Sequence, residues 1–151
     1  MPVIGVAKIQ VRIAFRGFDY ALTPGGVRGA AADAVRRTLA DLQEHFNQAL
    51  RTAKPRAFHA MGDAGVAYLR HITPQITGAL DRSYRWNQTG DTVVWASSSP
   101  YFRAVSLARG IAPDMGRWVL GPGREIGIDV LRAAVQEAAR TFDVRRVRID
   151  V

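Results

Sequence analysis

Hydrophobic and polar positions alternate at the start of the chain: Val3, Ala7, Ile9, Val11, Ile13 and Phe15 share one face, and Lys8, Gln10, Arg12 and Arg16 share the other. A period of two over that span predicts a strand with one buried face, from Val3 to Phe15. Ile4, Val6 and Ala14 make the outer face less polar than usual, which invites cover from another element or a neighbouring subunit. Gly17 to Gly26 reads as a connection, punctuated by Thr23-Pro24-Gly25-Gly26. The period then changes. Val27, Ala31, Val35, Leu39, Leu42, Phe46, Ala49 and Ala53 recur at spacings of three and four, with Arg28, Arg36, Arg37, Asp41, Glu44 and Arg51 mostly off that stripe. An amphipathic helix from Val27 to Ala53 follows, ended by Pro55.

Beyond Pro55, Ala57, Met61, Ala64, Tyr68 and Ile72 keep helical spacing, but Gly62 and Gly65 weaken a continuous helix. The expectation is a short helix over Ala64–Ile72, stopped before Pro74. A hairpin comes next, with strands Leu80–Trp86 and Thr92–Ala96 and a turn at Asn87–Asp91 where Gly90 supplies the positive φ. It leads into a tight turn at Ser99-Pro100. Phe102–Ala108 reads as a short helix or turn, Arg109–Gly116 as a loop, and Arg117–Leu120 as a brief strand. A second clear helix spans Gly127–Phe142, with the stripe Ile128, Leu131, Val135, Ala138 and Phe142, and with Asp129 near its N-terminus. Val144–Val151 alternates again and reads as a last strand. The predicted fold is α+β: one domain over residues 1–151, an antiparallel β-sheet packed against a long N-terminal helix and a C-terminal helix.

Composition changes that picture little. The chain has 151 residues, 48% hydrophobic, with no apolar run near the length of a membrane span. Met1-Pro2-Val3-Ile4-Gly5 carries neither the charged n-region nor the apolar h-region of a signal peptide, so synthesis in the cytoplasm is expected. The absence of cysteine excludes disulfides, thiolate metal sites and a cysteine nucleophile. The net charge of +8 invites a nucleic-acid role, but nearly all of it is scattered arginine, with Lys8 and Lys54 the only lysines.

Candidate chemistry is sparse. His45, His59 and His71 form no metal-type doublet, so no metal or cofactor is expected. Gly121-Pro122-Gly123-Arg124 lacks the Lys-Ser/Thr ending of a phosphate loop and reads as a turn into the last helix. Ser97-Ser98-Ser99 has no nucleophile-elbow surroundings, and Asp63, Asp81, Asp91, Asp114, Glu125 and Asp129 form no acid/base pair. Trp86 and Trp95, on opposite arms of the hairpin, suit either a base-stacking platform or, more simply, cross-strand packing. No residue set points to an enzyme.

One stretch carries a family signal. Thr73-Pro74-Gln75-Ile76-Thr77-Gly78-Ala79-Leu80-Asp81-Arg82-Ser83, followed by Val93-Val94 and then Ser99-Pro100-Tyr101, resembles the tail-completion or head–tail joining proteins of tailed phages. These include the minor tail components of lambdoid siphophages and the virion morphogenesis proteins of Mu-like phages. The match centres on Pro74, Thr77, Gly78, Leu80, Ser83, Pro100 and Tyr101, within a looser likeness over residues 27–142. Phe102 replaces the usual small residue after the tyrosine, and Trp118-Val119-Leu120-Gly121-Pro122 replaces a later proline-aromatic-leucine signature.

The resemblance implies a structural virion protein, not an enzyme, that forms a homo-oligomeric ring, hexameric or dodecameric, between capsid and tail. It also implies partners among neighbouring neck and tail proteins, no membrane, and non-specific contact of lumenal arginines with passing DNA. Arg109, Gly110, Ile111, Met115 and Arg117 are then a candidate interface loop that orders on assembly. The competing expectation is a basic nucleic-acid-binding module built on Trp86, Trp95, Arg82 and Arg85.

Overall fold

The computed structural model describes residues 2–10, 30–74 and 78–141. The expected connection at Gly17–Gly26, the last strand at Val144–Val151 and the motif residue Thr77 lie outside them. The chain is α+β. Strand β1 (Val3–Lys8) is followed by helix α1 (Ala30–Ile72), a 3-10 turn (Asp81–Ser83), and strands β2 (Tyr84–Thr89) and β3 (Thr92–Ser97). Helices α2 (Phe102–Arg109) and α3 (Ile111–Trp118), a π-helical turn (Val119–Gly123) and helix α4 (Arg124–Thr141) complete the described chain. Contacts divide it into two compact units: Met1–Gln10 with Lys54–Leu131, and Val11–Ala53 with Arg132–Val151.

In the first unit the three strands form an antiparallel sheet in the order β1-β3-β2. The β2–β3 hairpin turns tightly at Gly90-Asp91, with Gly90 at φ +58°, and Trp86 stands directly opposite Trp95. β1 departs from strict alternation: its register with β3 shifts between Val3 and Gly5, so Ile4 is buried and Val3 is 59% exposed. The bulge moves the side chains before it to the other face. Ala7 and Ile9 are buried and Val6 faces outward, as the alternation predicts.

The long helix is the largest correction. α1 runs 43 residues, straight through Pro55, Gly62 and Gly65, and does not stop at Ala53. Proline inside a helix costs about 3 kcal/mol. Ala53, Ala57, Phe58, Met61 and Leu69 are all buried on either side of it, and each large apolar side chain returns about 1.5–3 kcal/mol. Burial outweighs the broken hydrogen bond. The glycines have a different purpose, because they admit the sheet. A Cβ on Gly62 would lie 2.1 Å from the Trp86 ring, and one on Gly65 would lie 2.2 Å from Trp95 Nε1. The Trp95 indole donates to the Gly62 carbonyl at 3.1 Å, and the Trp86 indole donates to Asp63 Oδ1 at 2.9 Å. The second Asp63 oxygen pairs with His59 Nε2 at 3.0 Å.

The stretch after the hairpin is helical where a loop and a strand are expected. Gly110, at φ +66°, ends α2 by donating to the Ser106 carbonyl, and the chain re-enters a helix at Ile111. The buried Ser106 hydroxyl accepts the Ala112 N–H at 3.0 Å, which joins the two helices at the corner. Trp118 therefore ends a helix and is not in a strand; its ring stacks on Tyr68 at 5.5 Å and meets Trp95 edge-on at 5.9 Å. Gly121-Pro122-Gly123 continues as the π-helical turn into α4, which begins at Arg124 with Glu125, not Asp129, in its first turn. In the second unit Phe46, Leu50 and Ala138 are buried, and His45 Nε2 donates to the Ala138 carbonyl at 2.8 Å.

Candidate functional site

Described residues of the family-like stretch build a groove. Pro74, Gly78, Ala79 and Leu80, from the connection between α1 and the 3-10 turn, make one wall, and Tyr101, Ala104, Val105, Ala108 and Arg109 make the other. The volume is about 540 Å³, within the range of ligand sites, and the lining is largely apolar. Five residues singled out from the sequence, Pro74, Gly78, Leu80, Tyr101 and Arg109, thus meet at one place.

Hydrogen bonds join the segments that carry the groove residues. Ser83 Oγ donates to the Leu80 carbonyl at 2.5 Å, so the 2.7 Å contact with Ser97 must be donated by Ser97. Ser97 Oγ in turn accepts the Ser99 N–H at 3.1 Å, and the Ser98 N–H reaches the Ser83 carbonyl at 3.2 Å. The chain of hydroxyls ties the 3-10 turn to the end of β3. Ser83 and Ser97 are buried, and their hydrogens are committed to structure. Pro100 is exposed in the turn that follows, where Ser99 Oγ accepts the Tyr101 N–H at 3.2 Å ahead of α2.

The connection is anchored at its other end by Thr73 and Tyr84. Thr73 Oγ1 donates to the Leu69 carbonyl at 2.5 Å, so the buried Tyr84 hydroxyl donates to Thr73 at 2.6 Å. The Tyr84 ring meets Phe102 edge-on at 6.3 Å. Burial pushes the Tyr84 phenol above its ordinary 10.0, with the Asp81 charge adding to the rise and the Thr73 bond opposing it. The phenol is held neutral.

The predicted interface segment divides. Ile111 and Met115 are 0% exposed on α3 and belong to the core, which corrects the expected loop. Gly110 is the corner between the two helices, Arg117 is exposed beside Asp114, and Arg109 stands in the groove wall. Trp95 is also 0% exposed, so Trp86 and Trp95 present no shared stacking platform; they are cross-strand partners under α1. Among the described residues no group of histidines and carboxylates is arranged to hold a metal ion.

Ala79, Ala104, Val105 and Ala108 are groove residues that sequence reasoning misses. A signal was present: Phe102, Ala104, Val105, Leu107 and Ala108 are five apolar residues in an eight-residue helix, too many for one buried stripe. Phe102 takes the core, Val105 the groove, and Leu107 is left 88% exposed. Comparison with family models, characterised proteins and solved structures finds no match to this chain.

Proposed function

We propose that the protein is a structural component of a tailed-phage virion, at the head–tail joint, where copies assemble into a ring through which DNA passes. The observation that carries this reading is the bare outer face of the sheet. Its inner face packs on α1 through Trp86 and Trp95, while outward-facing Val3 and Val6 are 59% and 53% exposed beside half-buried Val94 and Ala96. A continuous apolar patch on a β-sheet is a surface suited to another subunit. Leu107 and Leu120, at 88% and 78% exposure, add apolar residues elsewhere on the unit. Two unlike surfaces, repeated head to tail, close into rings.

The resemblance of Pro74–Tyr101 to tail-completion proteins supplies the place in the virion, and the net charge of +8 suits a lumen that meets phosphate without reading sequence. Interrupting the gene in a phage that carries it, with micrographs of the lysate, tests the reading. Filled heads and detached tails are expected, and complete virions would overturn it. Purified protein supplies the second arm: Val6→Glu should prevent ring formation seen by electron microscopy.

A further inference from the structure

We propose that the groove lined by Pro74, Gly78, Ala79, Leu80 and α2 docks an amphipathic helical segment of a different protein, apolar along one face and acidic beside it. The apolar face would lie on Leu80, Ala104, Val105 and Ala108, and its carboxylates would meet Arg109 and Arg82. Arg109 stands in the groove wall, and the Arg82 guanidinium reaches to 3.8 Å of where a Gly78 side chain would begin, on the opposite wall. Two cations therefore flank an apolar floor, the arrangement that receives a helix by its i, i+3 and i+4 positions.

Several arginines elsewhere in the chain are already occupied. Arg36, Arg51, Arg117 and Arg140 each hold a carboxylate of this chain. Among the described residues no carboxylate pairs with Arg82 or Arg109. The surrounding sequence offers little, because between Arg70 and Arg109 the only acids are Asp81 and Asp91. Asp81 has one buried, unpartnered oxygen and pairs with neither arginine, and Asp91 is bound to Lys54 at 3.2 Å. A second copy of this chain is a poor source of the missing charge. It carries +8 itself, and six of its 13 acids, Asp33, Glu44, Asp63, Asp91, Asp114 and Glu137, are already paired. Nucleic acid has the charge, but apart from Tyr101 and Arg109 the lining is aliphatic, and it lacks the row of aromatic faces on which bases stack. An acidic partner protein fits both the floor and the rim. Docking of this kind does not require the chain to form a ring.

The test uses the full chain and fluorescein-labelled peptides of about four helical turns, built of Leu and Ala with Glu, Gln or Lys at the polar positions. Fluorescence anisotropy should show the Glu peptide binding at least about tenfold more tightly than the Lys peptide, a difference that shrinks as salt is raised. Val105→Asp, on the groove side of α2, should abolish binding, and Leu107→Asp, on the exposed side, should leave it intact. Arg109→Glu should reverse the preference toward the Lys peptide. Equal binding of Glu and Lys peptides, or loss in Leu107→Asp but not in Val105→Asp, would overturn the proposal. So would tighter binding of a short oligothymidylate that disappears in Arg109→Glu, or self-association of the chain that disappears in Val105→Asp.

Discussion

Two parts of the first unit use similar residues to opposite ends. At the seam between α1 and the sheet, Gly62 and Gly65 let two tryptophan rings lie against the helix backbone, and both indole N–H groups find acceptors. At the groove, α2 stays apart from Pro74, Gly78, Ala79 and Leu80, and about 540 Å³ of largely apolar space lies open beside two arginines that no carboxylate of the described residues holds. The seam has spent its free groups on itself, whereas the groove has kept them. The first arrangement is what stability requires, and the second is what recognition requires. Substitutions should therefore cost stability steeply at the seam and hardly at all in the groove.

Trp95→Ala should have the largest effect. The side chain is 0% exposed, meets Trp118 edge-on and bonds the Gly62 carbonyl, so its loss should cost about 3–5 kcal/mol in urea denaturation. A cost under about 1 kcal/mol would mean that the seam does not organise the unit.

Gly65→Ala should follow. The added methyl gains about 1 kcal/mol in helix propensity but collides with Trp95, which has nowhere to go, so a net loss of about 2 kcal/mol is expected. Gly62→Ala should cost less, because Trp86 is only half-buried and can tilt outward by giving up Asp63. If the two variants unfolded at the same denaturant concentration, the distinction between a fixed and a yielding ring would fail.

Tyr84→Phe, at the boundary of the two regions, should cost about 1 kcal/mol for the lost bond to Thr73. It should also change the response to alkali. The phenol is raised above its ordinary 10.0, so below that pH both states keep the proton and the stabilisation is complete. Above it the unfolded chain releases its proton first, and stability falls as pH rises through the folded value. Denaturation midpoints of the two proteins across that range should converge in alkali. Parallel curves would mean that Tyr84 does not sense its burial.

The same contrast governs how much could be read from sequence. A hairpin with Gly90 in its turn, the Trp86–Trp95 pairing and a last helix follow from local pattern, because period and turn chemistry act within a few residues. The hairpin's first strand, however, is Tyr84–Thr89 and not Leu80–Trp86: a 3-10 turn takes Asp81–Ser83, and residues expected in the turn extend the strand. Pro55, Gly62 and Gly65 mislead for a common reason. Their cost is local, but the burial that overrides it comes from a sheet whose strands stand on either side of the helix in the sequence. Ile111 and Met115 are lost among Gly110, Pro113 and Gly116, since a helix restarted by one left-handed glycine has no periodic signature of its own. The motif residues of the groove were legible as a group, but not as walls of a cavity. Its far wall is supplied by alanines and a valine that look like any core stripe.

Arg109→Ala should have the smallest effect. The residue lines the groove, and no carboxylate of the described residues holds it, so its removal breaks no ion pair and leaves no buried charge behind. A change within about 0.5 kcal/mol is expected, as for a surface position outside any network. Urea midpoints of the parent and variant, measured at low and high salt, check this. If Arg109→Ala were destabilising by as much as Tyr84→Phe, the arginine would be part of the unit's own structure. The groove would then resemble the seam, and the division between a finished region and an open one would be lost.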